Sequence, residues 1–213
     1  MKSISILLLI FGLDLTTHAT DDLIEMPDSM KGVRIKMSLS DFLKIHQNVK
    51  PFGFDIDGPP AKVDLANGNQ LLIEHFAKDS TFSDAMYDFK DNKLVHVVLG
   101  IEKNIDDFRK VRSPLILSLI QKWGIQFEKR VVKIPTRINE PATPMLSWNK
   151  GGTKITVLCT GDSETSKLKR GILQVNIFEE GSVDQKKSPQ EEKVDDITFK
   201  KLFESIGVVA RDK

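Results

Sequence analysis

Cys159 is the single cysteine of the chain, and His46, His75 and His96 are its three histidines beyond residue 19. A thiol beside an imidazole suits covalent hydrolysis, because the imidazole takes the proton and leaves a thiolate nucleophile. The run TKITVLC, however, places Cys159 on the same strand face as Ile155 and Val157, with no lysine or arginine next to it to hold a thiolate. These residues therefore read as a buried, inert thiol. The histidines also fail a metal test. Zinc-binding helices set their ligands at short fixed separations, and here no two histidines share an element at such a spacing. Glu74-His75 and His96 fall on strands that can be neighbours. A secreted hydrolase using Cys159, or a His/Glu pair from strands 70–76 and 93–101, thus stays open as an alternative.

Asp55-Ile56-Asp57-Gly58 begins like a calcium loop, but Pro59 and Pro60 follow where further oxygen ligands belong, so a turn is expected. No phosphate-cradling glycine loop, G-x-S-x-G elbow or H-E-x-x-H helix occurs. No catalytic residue, cofactor or metal is assigned from the sequence. Aromatic residues suggest contact instead of chemistry. Phe52, Phe54, Tyr87 and Trp148 form the candidate interaction surface, since aromatics on a sheet face are efficient interface anchors. Trp148, just before Lys150-Gly151-Gly152, is expected to be partly exposed, whereas Trp123 ends an apolar helix stripe and belongs to the core.

The elements that must position these residues follow from periodicity. Val33 to Met37 is a candidate short strand. Ser38 with Asp41 three residues later is a helix-opening pair, followed by Leu39, Phe42, Leu43 and His46 at helical spacing. Pro51 is expected to stop that helix. Strands are predicted over 70–76, 82–89 and 93–101, the last two joined by a polar turn at Lys90-Asp91-Asn92. Asn104 with Asp107 opens a second helical segment. Ser113-Pro114 reads as a fresh cap with a first-turn proline, and Leu115, Ile116, Leu119, Ile120 and Trp123 form a stripe that stops at Gly124. Further strands are predicted over 127–134, 145–148, 153–159 and 171–178. The charge-rich segment 179–196 reads as a solvated linker, and Phe199, Leu202, Phe203 and Ile206 make a short amphipathic helix. That helix is too short to stand alone in water, so it docks, in the first instance on its own domain.

The fold class expected is α+β: two helix-plus-antiparallel-sheet units in tandem, with a C-terminal amphipathic helix. The boundaries are a signal peptide at 1–19, a first unit at 20–103, a second at 104–179, and a charged linker and helix at 180–213. Apolar side chains alone organise the two sheet-backed halves, because one cysteine cannot form an internal disulfide. The signal peptide is read from Lys2, the apolar run Ile4 to Leu13, and small residues at Thr17 and Ala19. That run falls well short of the roughly 20 residues that span a bilayer, so a soluble periplasmic or secreted protein without a membrane span is expected. Lys and Arg number 31 against 30 Asp and Glu, a balance that argues against a nucleic-acid partner, which needs a clustered positive field.

Met37-Ser38 leading into a short helix near a proline, then the meander MYDFKDNKLVHVVL, is one half of a repeated order. QKWG, LSWNKGGTKITVL and GILQVNIF follow the same outline. This order resembles the small outer-membrane-assembly lipoproteins of the SmpA/OmlA type and the tandem-repeat β-lactamase inhibitory proteins. The chain differs from them in having no lipid-attachment cysteine and in carrying Lys36, not glycine, before Met37. The resemblance implies a noncatalytic envelope protein that presents a curved sheet to another envelope or extracellular protein. A small-ligand or lipid carrier is the further alternative, and it requires an internal apolar cavity.

Overall fold

The first helix starts where the sequence places it: Ser38 Oγ accepts from the Asp41 N–H at 3.1 Å, and α1 spans Leu39–Ile45. In the computed structural model, which describes residues 30–52, 63–64, 66–77, 82–133, 142–160, 170–182 and 190–208, α1 is followed by β1 (Lys50–Pro51), β2 (Gln70–His75), β3 (Asp84–Lys90), β4 (Lys93–Asn104), α2 (Ile105–Trp123), β5 (Glu128–Lys133), β6 (Thr143–Lys150), β7 (Thr153–Thr160), β8 (Arg170–Glu179), β9 (Gln190–Glu191) and α3 (Asp196–Ser205). Among the described residues the nine strands form one antiparallel sheet in the order β1-β2-β3-β4-β8-β7-β6-β5-β9. The protein is thus an α+β chain with a large antiparallel sheet and three described helices. Residues 1–29, with the expected signal peptide, lie outside the described residues, as do Phe54 and Asp55 to Pro60.

Strand alternation sorts the side chains into two faces. On β3, Ala85, Tyr87 and Phe89 are buried while Asp84, Met86 and Asp88 are half-buried, and β8 alternates in the same way from Gly171 to Phe178. The register aligns the buried positions into a row across six strands: Leu72, Tyr87, Val97, Ile177, Ile155 and Trp148. The helices supply the other layer of this core, α1 through Leu39 and Phe42, α2 through Phe108, Ile116, Leu119 and Trp123, and α3 through Phe203. Each such fully buried side chain contributes roughly 1.5–3 kcal/mol relative to exposure. Among the described residues one large cluster runs from Met30 to Val208, so the segments 20–103 and 104–179 contribute to one main core, and a small second cluster of Val132, Met145 and Leu158 lies apart from it. The cause is the central pairing of β4 with β8, which merges both sets of strands into one surface.

Three local expectations change. Val33 to Met37 is not a strand. Lys36 takes a left-handed φ of 69°, and the turn clips onto β4 through Lys36 N–H to Leu94 O at 2.7 Å and Leu94 N–H to Met37 O at 2.9 Å. Pro51 does not end α1, which stops at Ile45; it lies in the edge strand β1, where a missing N–H costs least. Ser113-Pro114 does not start a new helix either. Phe108, Arg112, Ile116, Leu119 and Trp123 are all buried in one unbroken helical phase across Pro114, and that continuous anchoring to the sheet carries the helix past its proline.

Lys36 gives the first testable consequence. A non-glycine residue in the left-handed region costs roughly 1–2 kcal/mol, and its ion pair with Glu179 at 3.0 Å is solvent-exposed and worth little. Lys36→Gly should therefore raise stability by about 0.5–1 kcal/mol after glycine's own entropy cost, whereas Lys36→Ala should not. Urea midpoints measure both.

Candidate functional site

Two polar residues occupy core-facing positions, and the fold brings them together. His46 follows the apolar stripe of α1 and caps its C-terminus, its N–H bonded to Phe42 O; Glu74 follows Leu72 on the inner face of β2. His46 Nδ1 lies 2.7 Å from Glu74 Oε2, and Tyr87 donates to the same oxygen at 2.9 Å. All three side chains are buried, Tyr87 completely. The Phe42 ring stacks on the imidazole at 4.9 Å, and the Tyr87 hydroxyl also lies 3.1 Å from Met30 Sδ. Among the described residues His46 Nε2 is buried without a hydrogen-bond partner.

Electrostatics makes Glu74 the charged acceptor of this cluster. Burial raises the Glu74 carboxyl, but the hydrogen bonds from His46 and Tyr87 and the charge of the imidazole outweigh it, so its pKa lies below the usual carboxylate value. Burial, the Glu74 charge and that hydrogen bond push the Tyr87 phenol far above its ordinary range, so it serves as a donor. A buried carboxylate holding two donors fixes α1 to β2 and β3.

The sequence-nominated groups lie elsewhere. Cys159 is buried on the core face of β7, paired in register with Leu173, and burial pushes its thiol up to about 12 against the opposing pull of the Arg112 guanidinium. A folded thiol of this kind should resist aromatic disulfide reagents at neutral pH and react only on unfolding, which a thiol titration with and without denaturant checks. The alternative His/Glu pair across strands 70–76 and 93–101 does not form. Glu74 faces the core, His75 is exposed, and His96 lies on the opposite face with its ring edge-on to Phe178 at 5.5 Å. Among the described residues no three His, Cys, Asp or Glu side chains converge to hold a metal ion.

The nominated aromatic surface divides. Phe52 is 54 % exposed, and its N–H bonds Leu71 O beside the end of β1. Tyr87 and Trp148 are corrections: both are buried, because their strand phase assigns them to the core row. Trp148 donates through Nε1 to Gly124 O at 2.9 Å and stacks edge-on with Trp123 at 5.5 Å, so nearness to a glycine turn did not expose it.

Surface available for contact comes from the reverse side of the sheet. Ile73, Met86 and Val98 stand side by side in register on β2, β3 and β4, each half-buried, with Leu71 exposed beside them and Phe178 half-buried on β8. Over β6 and β7 this same face is buried at Ser147, Thr156 and Leu158, which confines the open patch to β2, β3, β4 and β8. The signal was present in the alternation of FSDAMYDF and KLVHVVLGI. A separate open groove of about 390 Å³ lies between the C-terminal half of α2 and Gly207-Val208, lined by Leu117, Ile120, Ile125 and Phe127. No described helix is long and apolar enough to cross a membrane. No protein-family model, curated protein or solved structure matches this chain, so the resemblance noted above rests on the order of elements alone.

Proposed function

We propose that this protein is an exported, noncatalytic binding module whose open sheet face contacts another envelope or extracellular protein. The observation that carries the reading is the half-buried apolar row Ile73, Met86 and Val98, aligned in register across three strands on the face opposite the helices, with Leu71 exposed beside it. Antiparallel sheets tolerate one solvated face, and a pre-formed apolar row on such a face loses little entropy on binding. The proposal includes a tandem architecture. Its support is the sequence of elements, α1-β1-β2-β3-β4 and then α2-β5-β6-β7-β8, laid out in mirrored order around the β4·β8 pair. In each half a buried side chain also ties the end of the helix to the second strand: Glu74 to His46, and Trp148 to the Gly124 carbonyl. On this reading α3 is an appended amphipathic helix that docks on its own chain through Phe203 and Ile206. Export is supported by the charged, apolar and small-residue pattern of residues 1–19.

A photoreactive residue placed at Met86, in cells that make the protein, should give an adduct of defined mass. The same residue at Lys110, on the solvent side of α2, should give none. Adducts at both positions or at neither count against the sheet face.

A further inference from the structure

The open face carries charge as well as apolar area. Asp84 and Asp88 stand two residues before and after Met86 on β3, so alternation puts all three on one face, each carboxylate about 7 Å along the strand from the methionine. Among the described residues neither aspartate forms an ion pair. His75 on β2 is the register partner of Asp84, and His96 on β4 that of Asp88. The remaining charged groups nearby are engaged: Lys90 Nζ donates to Ser182 O at 2.9 Å, and Glu102 pairs with Arg170 at 2.7 Å.

We propose that this face takes a polypeptide segment with basic side chains on either side of an apolar stripe, the two basic positions about 13 Å apart to match Asp84 and Asp88. The assignment rests on the sheet-face reading above and names the chemistry of its partner. Partly desolvated carboxylates that face only an imidazole each, His75 and His96, and make no ion pair among the described residues are costly in the free protein, and a lysine or arginine from outside relieves that cost with charge-assisted hydrogen bonds. Burial raises the Asp84 carboxyl, with the His75 charge opposing and the Glu102 charge adding to it, in keeping with such desolvation. A second copy is disfavoured, because stacking two identical patches brings the aspartates of each copy towards like charges. The chain as a whole carries a net charge of only +1, so a basic segment is drawn to this patch and not to the molecule in general.

The test uses the purified protein and two synthetic dodecapeptides, one repeating Lys-Ser-Val-Ser and one repeating Glu-Ser-Val-Ser, so that charged and apolar side chains share one face of the extended segment, followed by fluorescence anisotropy. The lysine peptide should bind roughly tenfold or more tighter than the glutamate peptide, and weaken several-fold as salt rises from about 50 to about 300 mM. Asp84→Asn with Asp88→Asn should abolish most of that preference while circular dichroism stays unchanged. Equal binding of both peptides, or an unaffected double variant, overturns the basic partner. Loss of binding in Ile73→Ser with Met86→Ser then separates the two readings: if it occurs the face remains a contact surface, and if it does not the sheet-face reading itself falls. A dimer in sedimentation that the Met86 change dissolves assigns the face to a second copy and overturns the proposal.

Discussion

Glu74→Ala should destabilise the protein by roughly 3–5 kcal/mol, because a buried charged acceptor is removed and two buried donors are left unsatisfied. Two donors lose their acceptor at once, since His46 Nδ1 and the Tyr87 hydroxyl both meet Glu74 Oε2. For a chain of 213 residues the change corresponds to a fall in Tm of about 6–20 °C. Glu74→Gln keeps an amide oxygen for Tyr87 and should cost less. Replacing the whole cluster with apolar groups, Glu74→Leu with His46→Leu and Tyr87→Phe, should recover most of the loss, because no buried polar group is then left unpaired. Equal losses in the single and triple variants would show that the cluster acts through shape alone. The same carboxylate sets a pH dependence. Its folded pKa lies below the unfolded value, so its contribution is complete above about 4.5 and is lost as pH falls through the folded pKa. Urea midpoints between pH 7 and pH 3 should fall more steeply for the native chain than for Glu74→Gln.

The second large effect is steric. Gly171 lies on the inner face of β8 directly under Phe108 of α2, and a Cβ at that position would sit 2.7 Å from Cε1 and closer still to Cγ and Cδ1. Phe108 is completely buried, so the ring has little room to withdraw. Gly171→Ala should therefore cost roughly 3 kcal/mol, at the upper end for overpacking, and Gly171→Val more. Phe108→Leu trims the obstructing ring. In that background the alanine should cost at least about 1 kcal/mol less, a coupling that a double-mutant cycle in urea reads directly. Strict additivity would mean that α2 does not rest on Gly171.

The strands from Gln70 to Glu179 are legible in the sequence because each is stated locally, by alternation and by turn chemistry. Asp91-Asn92 and Gly151-Gly152 take the positive φ values that two-residue hairpins require. The caps at Ser38, Asn104 and Gly124 are equally local and appear where their residue types put them. Pro114 misleads for the same reason: its local cost is real, but the buried stripe from Phe108 to Trp123 outweighs it, and that stripe acts only once the sheet is present. Lys36 is the converse, a residue with no local preference for a left-handed turn that is held there by its hydrogen bond to β4.

His46 and Glu74 mark the boundary between the two kinds of information. Each can be seen in the sequence as a polar residue in an apolar phase, which says that it is buried and needs a partner. Which partner depends on α1 crossing β2 and β3, a contact between positions 28 residues apart that no periodicity encodes. The burial of Tyr87 and Trp148 and the openness of the Ile73, Met86 and Val98 face were likewise decided in three dimensions. A strand's alternation separates its two faces but does not say which one the helices will cover. Side-chain pattern and turn residues determined the elements and their order. The merging of both halves through β4 and β8, and with it the shared main core and the less covered side of the sheet, came only with long-range pairing, whose energy is gained after the chain has closed on itself.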